Sequence, residues 1–236
     1  MLRRLVPQED GAWTLGDDGF ADVLAGLYAV DADDRHGVRI NMIASLDGSA
    51  VGHDGTSETL SNRVDRAILK TIRSLADAVV VGAGTVRREG YLGPVDSTLV
   101  IVTRSGDLRG HRLHDSERPP LILRPAEASD RVEHQLEGIP HRTATLAAAD
   151  LDGREVVDRI REAGLSSIVC EGGPRLTGAL LAARVVDEFC LTSAPLFHSP
   201  GLPLIAGAGS TVGAELRQLL VDAGGTLYGR WRIAED

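Results

Sequence analysis

The chain is 236 residues long, 43% hydrophobic and 25% charged, with a formal net charge of −9 and a pI of about 5.3. That length fits one large domain or two small ones. The acidic balance excludes a general nucleic-acid binder, which needs a basic face. Aromatics at 3% leave the core to Val, Leu, Ile and Ala, a composition suited to packed α/β layers. No apolar run follows Arg3 and Arg4, so the first residues are not read as a secretory leader. No stretch approaches the ~20 apolar residues of a membrane span, and the cytoplasm is the expected compartment. Cys170 and Cys190 sit in apolar runs without zinc or CxxC spacing, and are expected to be buried thiols rather than a disulfide.

Residues 1–36 are weakly patterned, with one short helix in FADVLAGLYAV and a polar loop in DADDRHG. They are expected to form an N-terminal extension packed on one domain spanning 37–236. VRINMIA, from Val38, predicts a first buried strand, followed by a Gly/Ser/Asp-rich loop. Ser61 or Asn62 is placed to cap the next helix, where Val64, Ile68, Ile72 and Leu75 recur at helical spacing. DAVVVG (77–82) is a short apolar strand, and AGTVRREG (83–90) is expected to turn away from it. STLVIVTRSG and PPLILRP predict two more strands, and DRVEHQLEG a helix. GREVVDRIREAG is a clearer helix, closed by Gly164. SSIVCEGG predicts a strand, PRLTGALLAAR a helix and VVDEFCLTSAPLF a strand. Ala223-Gly-Gly-Thr226, between apolar runs, marks a terminal hairpin. Strands alternating with helices predict an α/β fold: a mostly parallel central sheet with helices on both faces, plus an antiparallel C-terminal hairpin at one edge.

Three glycine-bearing turns follow apolar strands: ASLDG (44–48), VGAGTV (81–86) and EGGPRLTGA (171–179). In a parallel sheet ligands bind beyond the carboxyl ends of the strands. Glycine lets backbone approach a ligand, and a helix start offers free N–H groups to a phosphate. Together the turns point to a dinucleotide or phosphosugar site. The sequence holds no GxGxxG after the first strand, no GxxxxGK[ST], no GxSxG, no HExxH and no deaminase zinc signature. A metal site is therefore not expected.

INMIASLDG, GTSETLS, LKTIRSLADAVVVGAGTVRREGY and IVCEGGPRLTGALL…VVDEFCLTSAPLF, in this order, resemble the reductase domain of riboflavin biosynthesis. The resemblance runs from about residue 38 onward and implies a dihydrofolate-reductase-like fold, NADPH as cofactor, a homodimer, and a pyrimidine ribosylamine phosphate as substrate. It resembles a stand-alone reductase, without the zinc deaminase domain that bacterial members often carry. By position, it implies that Ala44 meets the nicotinamide end of NADPH, that Ser57 binds substrate and that Thr59 lies on the cofactor side. Arg73 matches an arginine that holds the substrate phosphate, a task suited to its donor fork. Gly82, Gly84 and Thr85 would border the cofactor pyrophosphate. Glu89 stands where an aspartate near the cofactor is common. Thr103 and Arg104 would hold the 2′-phosphate of NADPH. Glu171 would face the substrate, while Gly172, Gly173, Pro174, Arg175, Leu176 and Thr177 cradle the cofactor phosphates.

The sequence departs from the family pattern in two places. Asn41 replaces a lysine, and REGYLGPVD (88–96) replaces a DDPxLTxR segment that helps bind the ribosyl phosphate. Asp65, in the first turn of its helix, is placed where dihydrofolate reductases grip a pterin, although the helix dipole alone favours an acid there. The expected activity is therefore NADPH-dependent hydride transfer to a pyrimidine ribosylamine phosphate, with Asp65 and Glu171 as candidate catalytic acids and Asn41, Ser57 and Arg73 on the substrate. The alternatives are a pterin reductase or a non-catalytic NADPH-binding protein.

Overall fold

The computed structural model describes residues 1–7, 11–30, 37–90, 96–147, 150–207, 209 and 211–234. The expected polar loop at 31–36 and residues 91–95 of the divergent 88–96 segment lie outside the described residues.

Short apolar runs form the central strands. β3 (Val38–Ser45), β4 (Ala78–Gly82), β5 (Thr98–Val102), β6 (Leu121–Pro125), β7 (Arg142–Leu146), β8 (Ile168–Cys170) and β9 (Glu188–Ala194) pair parallel in the order β9-β3-β8-β4-β5-β6-β7. Ala78, Val79, Val80 and Val81 are fully buried because both faces of the sheet are covered. Ala78 and Val80 face α5 (Gly153–Glu162) and α6 (Pro174–Ala182) in one core. Val79 and Val81 face the other side with α3 (Ala83–Glu89) and α4 (Ser129–Gln135). On that side, beyond β8, α1 (Phe20–Tyr28) and α2 (Arg63–Ser74) cover Val169 and Cys190. Among the described residues no helix is long and apolar enough to cross a membrane.

β10 (Ala214–Asp222) and β11 (Leu227–Ile233) form the expected hairpin, but it is not the sheet edge. β11 pairs antiparallel with β9, while β1 (Leu2–Val6) pairs with β10 and β2 (Ala12–Trp13) pairs with β1. Residues 2–6 and 12–13 thus extend the same sheet. LRRLV gives no apolar run because two adjacent arginines interrupt it, and only Leu2 is fully buried. β7 (RTATL) also has no apolar signature: it is a largely exposed edge strand. The turn expected at 83–90 is instead the seven-residue helix α3, closed by Gly90 in the left-handed region at φ 56°.

Helices α5 and α6 touch through Gly153. A Cβ there would lie 2.4 Å from the Ala179 carbonyl oxygen and 2.7 Å from Leu180 Cα, both backbone atoms that cannot swing away. Gly153→Ala is therefore expected to cost about 1–3 kcal/mol, because the helices must separate to admit one methyl. Urea denaturation checks this, and a midpoint equal to wild type would show that the contact is looser than drawn.

Candidate active site

A cleft of about 680 Å³ opens at the carboxyl ends of β3, β4 and β8, where an open parallel sheet places its ligands. It gathers Asn41, Ser57, Asp65, Arg73, Glu89 and Glu171 from segments spread along the chain. Thr85, Gly172, Gly173 and Pro174 form part of the same wall.

Asp65 occupies the third position of α2. Asn62 caps that helix by accepting from the backbone N–H groups of Val64 at 2.8 Å and Asp65 at 3.0 Å. Asn62 is fixed in turn by the hairpin: its Nδ2 donates to Asp222 at 2.9 Å and to Thr226 at 3.0 Å. Tyr228 adds a hydroxyl bond to Asp222 at 2.7 Å. The C-terminal hairpin therefore holds the start of α2, and with it Asp65. Two hydroxyls finish the job: Ser61 donates to Oδ2 at 2.7 Å and Thr192 on β9 donates to Oδ1 at 2.6 Å. Burial pushes the Asp65 carboxyl above the ordinary aspartate range even though both hydroxyls favour its charged form.

Arg73 and Glu171 meet each other. Arg73 donates from Nε to Oε1 and from Nη2 to Oε2, both at 2.6 Å, a two-point fork. The Glu171 side chain is 7% exposed and that of Arg73 25%, so the pair is sunk in the cleft wall with the guanidinium nearer solvent. Asn41 also lines the cleft, and among the described residues its amide has no hydrogen-bond partner within the protein. Glu89 accepts the backbone N–H of Ser57 at 3.3 Å, tying the 46–61 loop to α3.

The glycine turns abut. Gly82 N donates to the Gly172 oxygen at 2.9 Å, and Gly173 N to Thr85 Oγ1 at 3.3 Å. A Cβ on Gly82 would reach 3.9 Å from the Gly172 oxygen, and one on Gly173 would reach 3.7 Å from Thr85 Oγ1, so a side chain at either point would fill the space between the turns. Gly172 has φ 94°, which a side chain rarely adopts, and Met42 Cε would lie 3.0 Å from its Cβ. Helix α6 starts at Pro174, with Gly173 as its N-cap residue and no side-chain cap, which leaves the N–H groups of Arg175 and Leu176 open. These features suit an anionic, phosphate-bearing group.

Other residues singled out from the sequence lie away from the lining. Thr103 is buried, and its hydroxyl accepts the Gly106 N–H at 3.0 Å, so it caps a turn. Arg104 and Arg175 are exposed. Leu176 packs in the core, and the buried Thr177 hydroxyl donates to the Met42 sulfur at 3.3 Å, so these two can serve a ligand only through backbone. Thr59 donates to Asp54 at 3.0 Å, and Ala44 is buried in β3. Gly84 lies in the first turn of α3. Both cysteines are free and buried, and burial pushes the Cys170 thiol up to about 12. Sequence reasoning missed Thr192, whose only signal is a contact 127 residues away, and Lys70 and Arg88 at the cleft.

The RibD C-terminal domain model matches residues 36–228. The chain belongs to the RibD C-terminal domain family. The riboflavin biosynthesis protein RibD of Mycobacterium tuberculosis is 26% identical over 152 residues, covering 64% of this chain and 40% of that protein. A 2,5-diamino-6-ribosylamino-4(3H)-pyrimidinone 5′-phosphate reductase of Archaeoglobus fulgidus is 24% identical over 186 residues, covering 68% of this chain and 80% of that protein. The chain spans 40% and 49% of the lengths of the M. tuberculosis and Bacillus amyloliquefaciens RibD proteins. A crystal structure of a pyrimidine reductase-like protein from Corynebacterium diphtheriae superposes with a TM-score of 0.77 at 23% identity, covering 90% of this chain and 99% of that one. This RibD C-terminal domain thus has the expected α/β fold: a mostly parallel sheet, helices on both faces and antiparallel strands.

Proposed function

We propose that this RibD-family chain is an NADPH-dependent reductase of a pyrimidine ribosylamine phosphate, acting by direct hydride transfer. One observation carries the reading. A single cleft at the carboxyl ends of the strands joins a buried carboxyl (Asp65), an amide without a partner among the described residues (Asn41) and a glycine-bounded, uncapped helix start. The substrate class printed for the A. fulgidus relative supports it.

NADPH, when bound, supplies the hydride. Gly82, Gly84, Thr85 and the backbone from Gly172 to Thr177 would hold its phosphates, with Ala44, Thr59 and Glu89 bordering it. Of the pair assigned to the 2′-phosphate, Arg104 has the exposed side chain, while Thr103 stabilises the turn that presents it. Asn41 and Ser57 orient the substrate. Asp65, whose carboxyl burial makes a readier proton carrier than an ordinary aspartate, would supply the proton needed where the imine nitrogen of the substrate becomes an amine. Glu171 aims Arg73 and shares its positive charge with the ribosyl phosphate.

Calorimetric titration tests the cofactor assignment: NADPH is expected to bind, and no heat of binding would sink it. Arg104→Ala is expected to lower the preference for NADPH over NADH by about 10-fold or more, the worth of a charge-assisted hydrogen bond. An unchanged ratio would move the 2′-phosphate elsewhere. Asp65 beside Asn41 favours one second reading, a pterin reductase in which the carboxyl grips the ring. Dihydrofolate turnover separates the two.

A further inference from the structure

A second cavity, of about 920 Å³, lies at the opposite end of the sheet, against the starts of β3, β8 and β9 and the end of α1. Its volume is within the range of small-molecule sites. Among the described residues, six arginines line it (Arg4, Arg39, Arg184, Arg217, Arg230 and Arg232) against two carboxylates, Asp187 and Glu188. In a chain with a net charge of −9 this is a local reversal of sign among the described residues.

The two carboxylates are already engaged. Asp187 accepts the Val38 N–H at 2.6 Å. Glu188 serves two guanidinium groups at once, pairing with Arg39 and with Arg230, the latter at 2.6 Å. Arg230 also donates to the carbonyls of Leu27 and Ala29, which fixes the end of α1 over the cavity. Arg232 is exposed and has no acidic partner among the described residues, and Arg217 has only the exposed Glu215, at 3.2 Å. Such surface pairs hold a guanidinium weakly.

A separate observation points the same way. Gln218 is 6% exposed and lines this cavity, yet its Nε2 is buried without an acceptor among the described residues. A buried donor left unmade is costly, and turning the amide toward the cavity would let a ligand acceptor atom satisfy it. The rest of the wall is apolar, with Leu27, Val30, Ile72, Leu75, Val169 and Ile233.

We propose that this cavity is a second small-molecule site, for an aromatic phosphomonoester. The flat body lies on the apolar wall, the phosphate meets Arg232 and Arg217, and Gln218 Nε2 donates to an acceptor on the ligand. Arginine suits this task because its planar fork matches phosphate oxygens. The site is independent of the chemistry in the cleft.

The probe is 1-naphthyl phosphate, with 1-naphthol and inorganic phosphate as the other arms, followed by calorimetry and by the side-chain amide resonance of Gln218. The naphthyl phosphate is expected to bind and to shift that resonance. Either control alone is expected to bind at least about tenfold more weakly. Arg232→Glu, at an exposed position, is expected to weaken binding about tenfold or more, and Gln218→Leu by a similar factor. Asp65→Asn, in the other cavity, is expected to leave it unchanged. The proposal is overturned if wild type does not bind the probe, if Arg232→Glu binds it equally well, or if the shifts fall only around Asn41 and Glu171. Equal binding of inorganic phosphate would overturn the aromatic part.

Discussion

Asp65→Asn is expected to lower turnover of the ribosylamine phosphate by about 10²–10⁴-fold while leaving the protein as stable as wild type, or more so, at neutral pH. The two effects share one cause. Burial holds the folded-state carboxyl above the ordinary aspartate range, so the folded chain binds this proton more tightly than the unfolded chain does. The favourable contribution is complete below the unfolded value of about 3.9 and is lost as pH rises through the higher folded value. At neutral pH the carboxylate therefore weighs against folding, and the neutral amide removes that cost while keeping the shape. Ser61 and Thr192 can rotate their hydroxyls to serve an amide, which limits the hydrogen-bond loss. Denaturation of both proteins from about pH 4 to neutrality should show the variant gaining on wild type as pH rises. A variant that gains nothing would remove the burial argument, and one with wild-type turnover would remove Asp65 from catalysis. Function bought at some cost in stability is a common pattern at active sites.

The second large effect is expected at Glu171→Ala, a loss of about 3 kcal/mol in stability. The figure sits at the low end for a broken buried pair because Arg73 keeps 25% of its side-chain surface in water. Glu171 itself is 7% exposed, and both of its oxygens are taken by the fork, so truncation strips the guanidinium of its bidentate acceptor. Arg73→Lys is not expected to restore the pair, since an ammonium cannot make two parallel bonds. A double-mutant cycle with Arg73→Ala and Glu171→Ala should give a coupling of about 1–3 kcal/mol. A coupling near zero would mean that the two side chains merely lie side by side. The pair also changes what Arg73 does: its guanidinium is held at the cleft wall by a carboxylate rather than waving from a helix face.

The frame of the sheet was legible wherever burial leaves a mark on composition. β4 and β8 are apolar runs because both of their faces are covered, and α2 and α5 show helical spacing because one stripe of each is buried. β7 escaped notice because an edge strand needs no apolar run, β1 because arginines interrupt it, and α3 because a glycine in a seven-residue helix reads as a turn. The cleft was legible in outline, since its glycine turns carry local motifs. Its partnerships were not: Arg73 meets Glu171 across 98 residues and Asp65 meets Thr192 across 127, and sheet order rather than spacing brings them together. Glu171 was expected to face the substrate directly. In the fold it faces Arg73, so its proposed work is to position a charge.

The most direct measurement of the central claim is NADPH oxidation by the purified chain with the ribosylamine phosphates of 2,5-diaminopyrimidinone and 5-aminouracil, set beside dihydrofolate. Steady turnover of one of the pyrimidine phosphates, and none of dihydrofolate, is the predicted result. NADPH binding with no oxidation by either pyrimidine phosphate would contradict the claim, and turnover of dihydrofolate alone would replace it with the pterin reading.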